Sequence, residues 1–224
     1  MPYRKTIFAN NEIYHTINRS IEEQTIFKGK RDYQRALDLI DFYRYNHPSL
    51  RFSHYNRLPK NEKEKFIKNL KENGKPVVEI LAFCLMSNHF HFLLRQTREK
   101  GIQSFMRNFQ DSFARYFNTK YHRSGLLFQG MFKAVRIETD EQLTHVSRYI
   151  HLNPVSSYIT EIGDLEKYPW SSFPEYLSQD SLKFTNPSPI LDLFKSRASY
   201  KEFVFNQADY QRRLQKIKHL ALER

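Results

Sequence analysis

The sequence predicts an α+β fold, an antiparallel sheet covered by helices, with a helical extension at its C-terminal end. Three observations carry this. Strand-type and helix-type patterns follow one another in the order strand, helix, strand, strand, helix, strand, helix. The two middle strands are separated by a turn signal short enough for a hairpin. The aromatic content, 19 Phe, 14 Tyr and 1 Trp, can build a substantial core and still leave rings to spare.

Residues 12–18, from Glu12 to Asn18, are rich in β-branched and aromatic types and read as the first strand. Tyr33, Leu37, Ile40 and Tyr43 recur at helical spacing, which predicts a helix over 31–45. A second helical pattern runs from Lys60 to Glu72, with Gly74 as its stop. Six lysines against three glutamates across 60–75 suggest a solvated, basic insertion, about 59–74, with a DNA-facing one as the alternative. The apolar run 77–86 is the second strand, Ser87-Asn88 the turn, and His89–Arg95 the third strand. A long basic helix with Phe105, Phe109, Phe113, Tyr116 and Phe117 spans 101–121. A loop containing Gly125 leads to a fourth strand at Lys133–Ile137. Thr139 and Gln142 fit a capping box, opening a helix that Pro154 is expected to close after Asn153. That order is the ferredoxin-like split βαβ pattern with an added helix. Beyond Trp170 the composition shifts: 178–189 reads as a linker and about 198–222 as a basic helical tail. The expected division is 1–176 for the main domain and 177–224 for linker and extension.

The formal net charge is +12, with a pI near 9.7, which favours a polyanionic partner such as nucleic acid. Six glycines exclude collagen-like chains, and no period of 20–50 residues points to a solenoid. Cys84 has no second cysteine to pair with and sits in an apolar run, so it reads as core. No stretch reaches the ~18 apolar residues of a membrane helix, and no secretory signal stands at the start. A cytoplasmic protein with no membrane partner is expected.

Two constellations carry chemistry. In Asn88-His89-Phe90-His91-Phe92, strand alternation puts His89 and His91 on one face and the two phenylalanines on the other. Two imidazoles side by side can share a divalent cation, though two ligands do not complete a site. The plainer alternative is a pair of surface histidines satisfied by water. In Tyr149-Ile150-His151-Leu152-Asn153-Pro154-Val155, Tyr149 and Asn153 lie one turn apart, beside the apolar stripe of Leu143, Val146 and Ile150. Here the plainer alternative is an amphipathic tyrosine and an Asn that ends a helix.

Taken together, the two motifs resemble the single-tyrosine HUH endonucleases, specifically the IS200-type transposases and the REP-associated tyrosine transposases. Phe90 fills the hydrophobic position between the histidines, and Tyr149 to Val155 reads in the Tyr-Ile-x-x-Asn-Pro-Val form of the REP-associated branch. The resemblance extends to Tyr14–Arg19, Gly125–Ala134 and Tyr168-Pro169-Trp170-Ser171-Ser172, and covers roughly residues 3–175. Met131 departs from it, since many relatives carry a cation there. The resemblance implies an HUH-type sheet and Tyr149 as a nucleophile that cleaves and rejoins single-stranded, hairpin-bearing DNA through a 5′-phosphotyrosine. It further implies that His89, His91 and Asn153 hold a divalent metal, Mg²⁺ or Mn²⁺. His145, one turn before Tyr149, is a candidate base, and Tyr116 and Tyr121 are rival nucleophiles that lack a metal-type side chain four residues on.

Arg19, Arg115, Lys120, Arg123, Lys133 and Arg136 are the expected DNA contacts, since cations among aromatic residues can follow a backbone while rings stack on bases. Arg107 and the tail cations Arg212, Arg213, Lys216 and Lys218 extend that set. The family includes both dimers and monomers, so a homodimer stays open, and DNA binding implies association with the nucleoid. The alternatives are a non-catalytic ferredoxin-like nucleic-acid-binding module and a domesticated relative that nicks DNA without transposing.

Overall fold

The structure is a computed structural model that describes residues 6–45, 50–178 and 184–208. Its strands are β1 (Ile13–Arg19), β2 (Val78–Leu85), β3 (His89–Gln96) and β4 (Lys133–Ile137). The main helices are α1 (Lys30–Tyr43), α3 (Lys60–Asn73), α4 (Gly101–Lys120) and α5 (Asp140–Ser156). Short helices α2 (Phe52–Tyr55), α6 (Phe173–Leu177) and α7 (Ser188–Leu191) and the longer α8 (Arg197–Phe205) complete the set. The strands form one sheet in the order β2-β3-β1-β4, every neighbouring pair antiparallel, as the split βαβ pattern requires.

Alternation along the strands divides the core in two. Tyr14 of β1 and Phe90, Phe92 and Leu94 of β3 pack under α1 and α4, against Phe105, Phe109 and Phe113. Leu93 of β3 faces the other way, where α5 covers the sheet with Leu143, Ile150, Leu152 and Val155. The run 77–86 lacks polar alternation because both faces of β2 are buried, and a bulge between Ile80 and Ala82 shifts its parity. The extra residue lets Leu81 and Ala82 both join the α5-side core, while Ile80 and Phe83 serve the other. Cys84 is buried there, as expected. The basic helix α3 contains no fully buried residue and leans on the α1-side core through Phe66 and Ile67.

A buried carboxylate ties α1 to α4. Asp32 accepts from the amides of Lys28 and Gly29, from the hydroxyls of Tyr116 and Tyr121, and from Lys120. Burial raises its pKa and the bonds from Lys120, Tyr121 and Tyr116 lower it; the lowering wins.

The tyrosine-bearing helix departs from expectation at its end. Thr139 caps it through the Gln142 amide, as the sequence indicates, but α5 continues through Pro154 to Ser156. Proline loses the bond its missing N–H would have made and crowds the Ile150 carbonyl one turn back, and packing of Leu152 and Val155 in the core outweighs that cost. The apolar cluster also runs across position 176, joining Phe173 and Tyr176 to Ile190, Tyr200 and Val204. At its centre His151, fully buried, bonds the Tyr200 hydroxyl through Nδ1 (2.7 Å) and the Ser172 hydroxyl through Nε2 (2.8 Å). Ser172 accepts from the Phe83 amide of β2, so α5, α8 and the sheet share one polar node. The described part of the expected tail helix is α8; Arg212, Arg213, Lys216 and Lys218 lie outside the described residues. Among the described residues no helix is long and apolar enough to cross a membrane.

Burial holds the His151 pKa down to about 3, against about 6.5 for an unfolded histidine. The unfolded chain takes up the extra proton first, so stability falls as pH drops from about 6.5 toward 3. Urea unfolding at a series of pH values should show this, and His151→Gln should flatten the slope by up to about 1.4 kcal/mol per pH unit. An unchanged slope in that variant would place the acid sensitivity elsewhere.

Candidate active site

The hairpin tip fixes the first histidine. Met86 N–H donates to the His89 carbonyl across the two-residue turn (2.8 Å). Ser87 O accepts from the amides of Ile26 and Phe27, and Asn88 O from Ser20, so the chain following β1 clamps the turn. His89 and His91 emerge on the α5 face with ring centroids 5.0 Å apart. Tyr149 stands over them from α5, edge-on to His91 at 5.5 Å. Its neighbours are buried, yet Tyr149 itself is 37% exposed, so the phenol reaches solvent at the rim of the core.

A third histidine, absent from the expected set, completes the group. His15 of β1 lies beside His91, its Nε2 2.9 Å from His91 Nδ1 and its ring 6.0 Å from that of Tyr149. The sequence held a signal for it. Ile13, His15, Ile17 and Arg19 share one strand face, and the split βαβ order makes β1 the neighbour of β3.

Burial lowers the pKa of His15 and of His89 to about 4, with the Arg19 charge adding to the effect on His89. It lowers that of His91 well below the usual range, with His15, His89 and Arg19 contributing. All three imidazoles are therefore neutral at neutral pH and carry a lone pair each. His89 donates from Nδ1 to Asn88 Oδ1 (2.6 Å), which leaves Nε2 as its free acceptor. His91 Nε2 is buried without a hydrogen-bond partner, alone in this among the side-chain nitrogens and oxygens of the described residues. Asn153 is buried one turn beyond Tyr149 and donates from Nδ2 to the Tyr149 carbonyl (2.9 Å), leaving Oδ1 to accept. Among the described residues no three His, Cys, Asp or Glu side chains form a metal-type group. Burial raises the Tyr149 pKa; hydrogen bonding with Asn153 and the Arg19 charge oppose it.

The expected cations divide between the faces. Arg19 lies opposite His89 in the β1–β3 register and pairs with Glu23 (2.6 Å). Lys133 is exposed on the histidine face, in the cross-sheet row His91, Ile17, Lys133. Arg136 has the opposite strand parity and pairs with Glu12 (2.9 Å). Arg115 and Lys120 line a groove of about 970 Å³ among α1, α2 and α4, beyond the phenylalanine side of the sheet, with Arg35, Arg51 and Arg57. Arg123 is held by Asn118 Oδ1 and the Leu126 carbonyl. Tyr116 and Tyr121 spend their hydroxyls on Asp32, and His145 meets Arg148 (3.2 Å) and the Phe203 ring. Neither sheet face presents the open aromatic platform of an RNA-recognition module: Phe90 and Phe92 are buried under α4, and α5 covers the other side.

The solved structure of a REP-associated tyrosine transposase bound to a REP hairpin superposes with a TM-score of 0.54 at 14% identity, over 88% of this chain and 96% of that one, and so shares its fold. No curated protein matches the chain. The family model described as IS200-like transposase matches residues 8–153, a span that takes in His15, both β3 histidines, Tyr149 and Asn153. The chain belongs to the IS200-like transposase family.

Proposed function

We propose that this protein cleaves and rejoins single-stranded, hairpin-bearing DNA, with Tyr149 as nucleophile. The observation that carries this is a half-exposed phenol set edge-on over a pair of neutral, buried histidines. The phenolic oxygen attacks the scissile phosphorus and the bond to the 3′ oxygen breaks. The product is a 5′-phosphotyrosine and a free 3′-OH, with the phenolic proton released and one taken up by the leaving oxygen. The covalent link conserves the phosphodiester bond, so a later 3′-OH can rejoin the strand. Arg19 lies near enough to influence the phenol and both β3 histidines, where a cation can hold a phosphate oxygen.

The residues present fit a divalent metal. The unpartnered His91 Nε2, the His89 Nε2 left free by Asn88, and the Asn153 Oδ1 supply two nitrogens and one oxygen. Mg²⁺ or Mn²⁺ held there would polarise and orient the scissile phosphate. The REP hairpin in the solved structure of similar fold supports a hairpin as the DNA feature recognised.

Tyr149→Phe should abolish covalent protein–DNA adducts on a labelled hairpin-bearing strand while leaving binding within a few-fold. Adducts at the wild-type level would move the nucleophile elsewhere. His89→Ala and His91→Ala should each eliminate cleavage, and a chelator should do the same to the wild type; cleavage that survives the chelator would remove the metal from the mechanism. Binding should weaken steeply with salt, each neutralised phosphate contributing about −0.7 to the log–log slope on single strands. Lys133→Ala should flatten the slope by about that amount. Arg136→Ala, on the other face and paired with Glu12, should leave it unchanged. The reverse pattern would put the DNA on the other face of the sheet.

A further inference from the structure

We infer that His15 is a positioning residue, holding His91 in the tautomer that can bind a cation by accepting the His91 Nδ1 proton on its own Nε2. This rests on the proposed reading of His89, His91 and Asn153 as metal ligands. The two rings are nearly parallel, 18° apart, with Nε2 and Nδ1 separated by 2.9 Å. One proton lies between those nitrogens, and its position decides the state of the far side of His91. If His15 donates, the His91 proton must sit on Nε2, where it is buried and meets no acceptor. If His91 donates, Nε2 presents a lone pair instead, and a cation there satisfies it. Only the second arrangement makes His91 a ligand.

In this arrangement His15 is not itself a third ligand, because its Nε2 is spent on His91. Its place in the fold suits a supporting role. β1 is hydrogen-bonded on both sides, to β3 and β4, so the acceptor sits on rigid backbone. Asn88 stands in the same relation to the other histidine, accepting from His89 Nδ1. Each β3 histidine thus has its outer nitrogen engaged and its Nε2 free, the arrangement by which outer partners fix tautomer and ring orientation in metal sites.

The test is Mn²⁺ affinity of the full-length protein, read by electron paramagnetic resonance without DNA. His15→Leu should weaken binding about 10- to 100-fold. His15→Gln, which can return an oxygen acceptor near the Nε2 position, should stay within a few-fold of wild type, and His91→Ala should lose binding. Wild-type affinity in His15→Leu, with binding lost in His91→Ala, would overturn the role of His15 and leave the metal reading standing. Equal affinity in wild type and His91→Ala would overturn the metal reading itself. Should His15→Leu fail to fold, nitrogen-15 NMR of the Mg²⁺-loaded wild type decides: the His91 proton is expected on Nδ1, and a proton on Nε2 overturns the inference.

Discussion

The antiparallel register of β1 on β3 is the constraint on which the rest of the molecule depends. It sets Ile17 opposite His91 and Arg19 opposite His89, with His15 one step along the same face. It also sends Phe90 and Phe92 to the α4 side, where each contributes roughly 1.5–3 kcal/mol through burial. A slip of one residue would exchange the two sets. Imidazoles would enter an aromatic core with nothing to bond, and phenylalanines would take the places the histidines now hold beneath Tyr149. Fold stability and site geometry are therefore specified by the same pairing.

Each covering layer is then fastened by one buried polar node. On the phenylalanine side Asp32 gathers two amides, two tyrosine hydroxyls and Lys120, joining the start of α1 to the end of α4. On the histidine side His151 joins α5 to α8 and, through Ser172, to β2. Both nodes are fully partnered, which is the condition under which buried polar groups rigidify a core. His151 lies two residues after Tyr149, so the node that seats the helix also governs where the phenol stands.

Much of this was legible in the sequence. The His-x-His alternation, the turn at Ser87-Asn88 and the Thr139 cap are local signals, and the structure carries each of them. What escaped depends on distant partners. The end of α5 lies beyond Pro154 because core packing there outweighs a local breaker. The expected basic contacts scatter over both faces because charge says nothing of strand parity or of neighbours: Arg136 has Glu12, and Lys120 has Asp32. His15 could be placed beside His91 only by joining the alternation of β1 to the topology of the sheet.

The His151 node also orders events during synthesis. Its hydroxyl partners lie 21 and 49 residues further along the chain, at Ser172 and Tyr200. As the polypeptide emerges from its N-terminal end, all four strands are available before α5 has anything to bury its far side against. Until Tyr200 has been made, His151 lacks one of its two hydroxyl partners, and α5 rests on the sheet through its apolar residues and Ser172 alone. The hairpin histidines are thus complete in the chain well before the last residue that supports the helix bearing Tyr149.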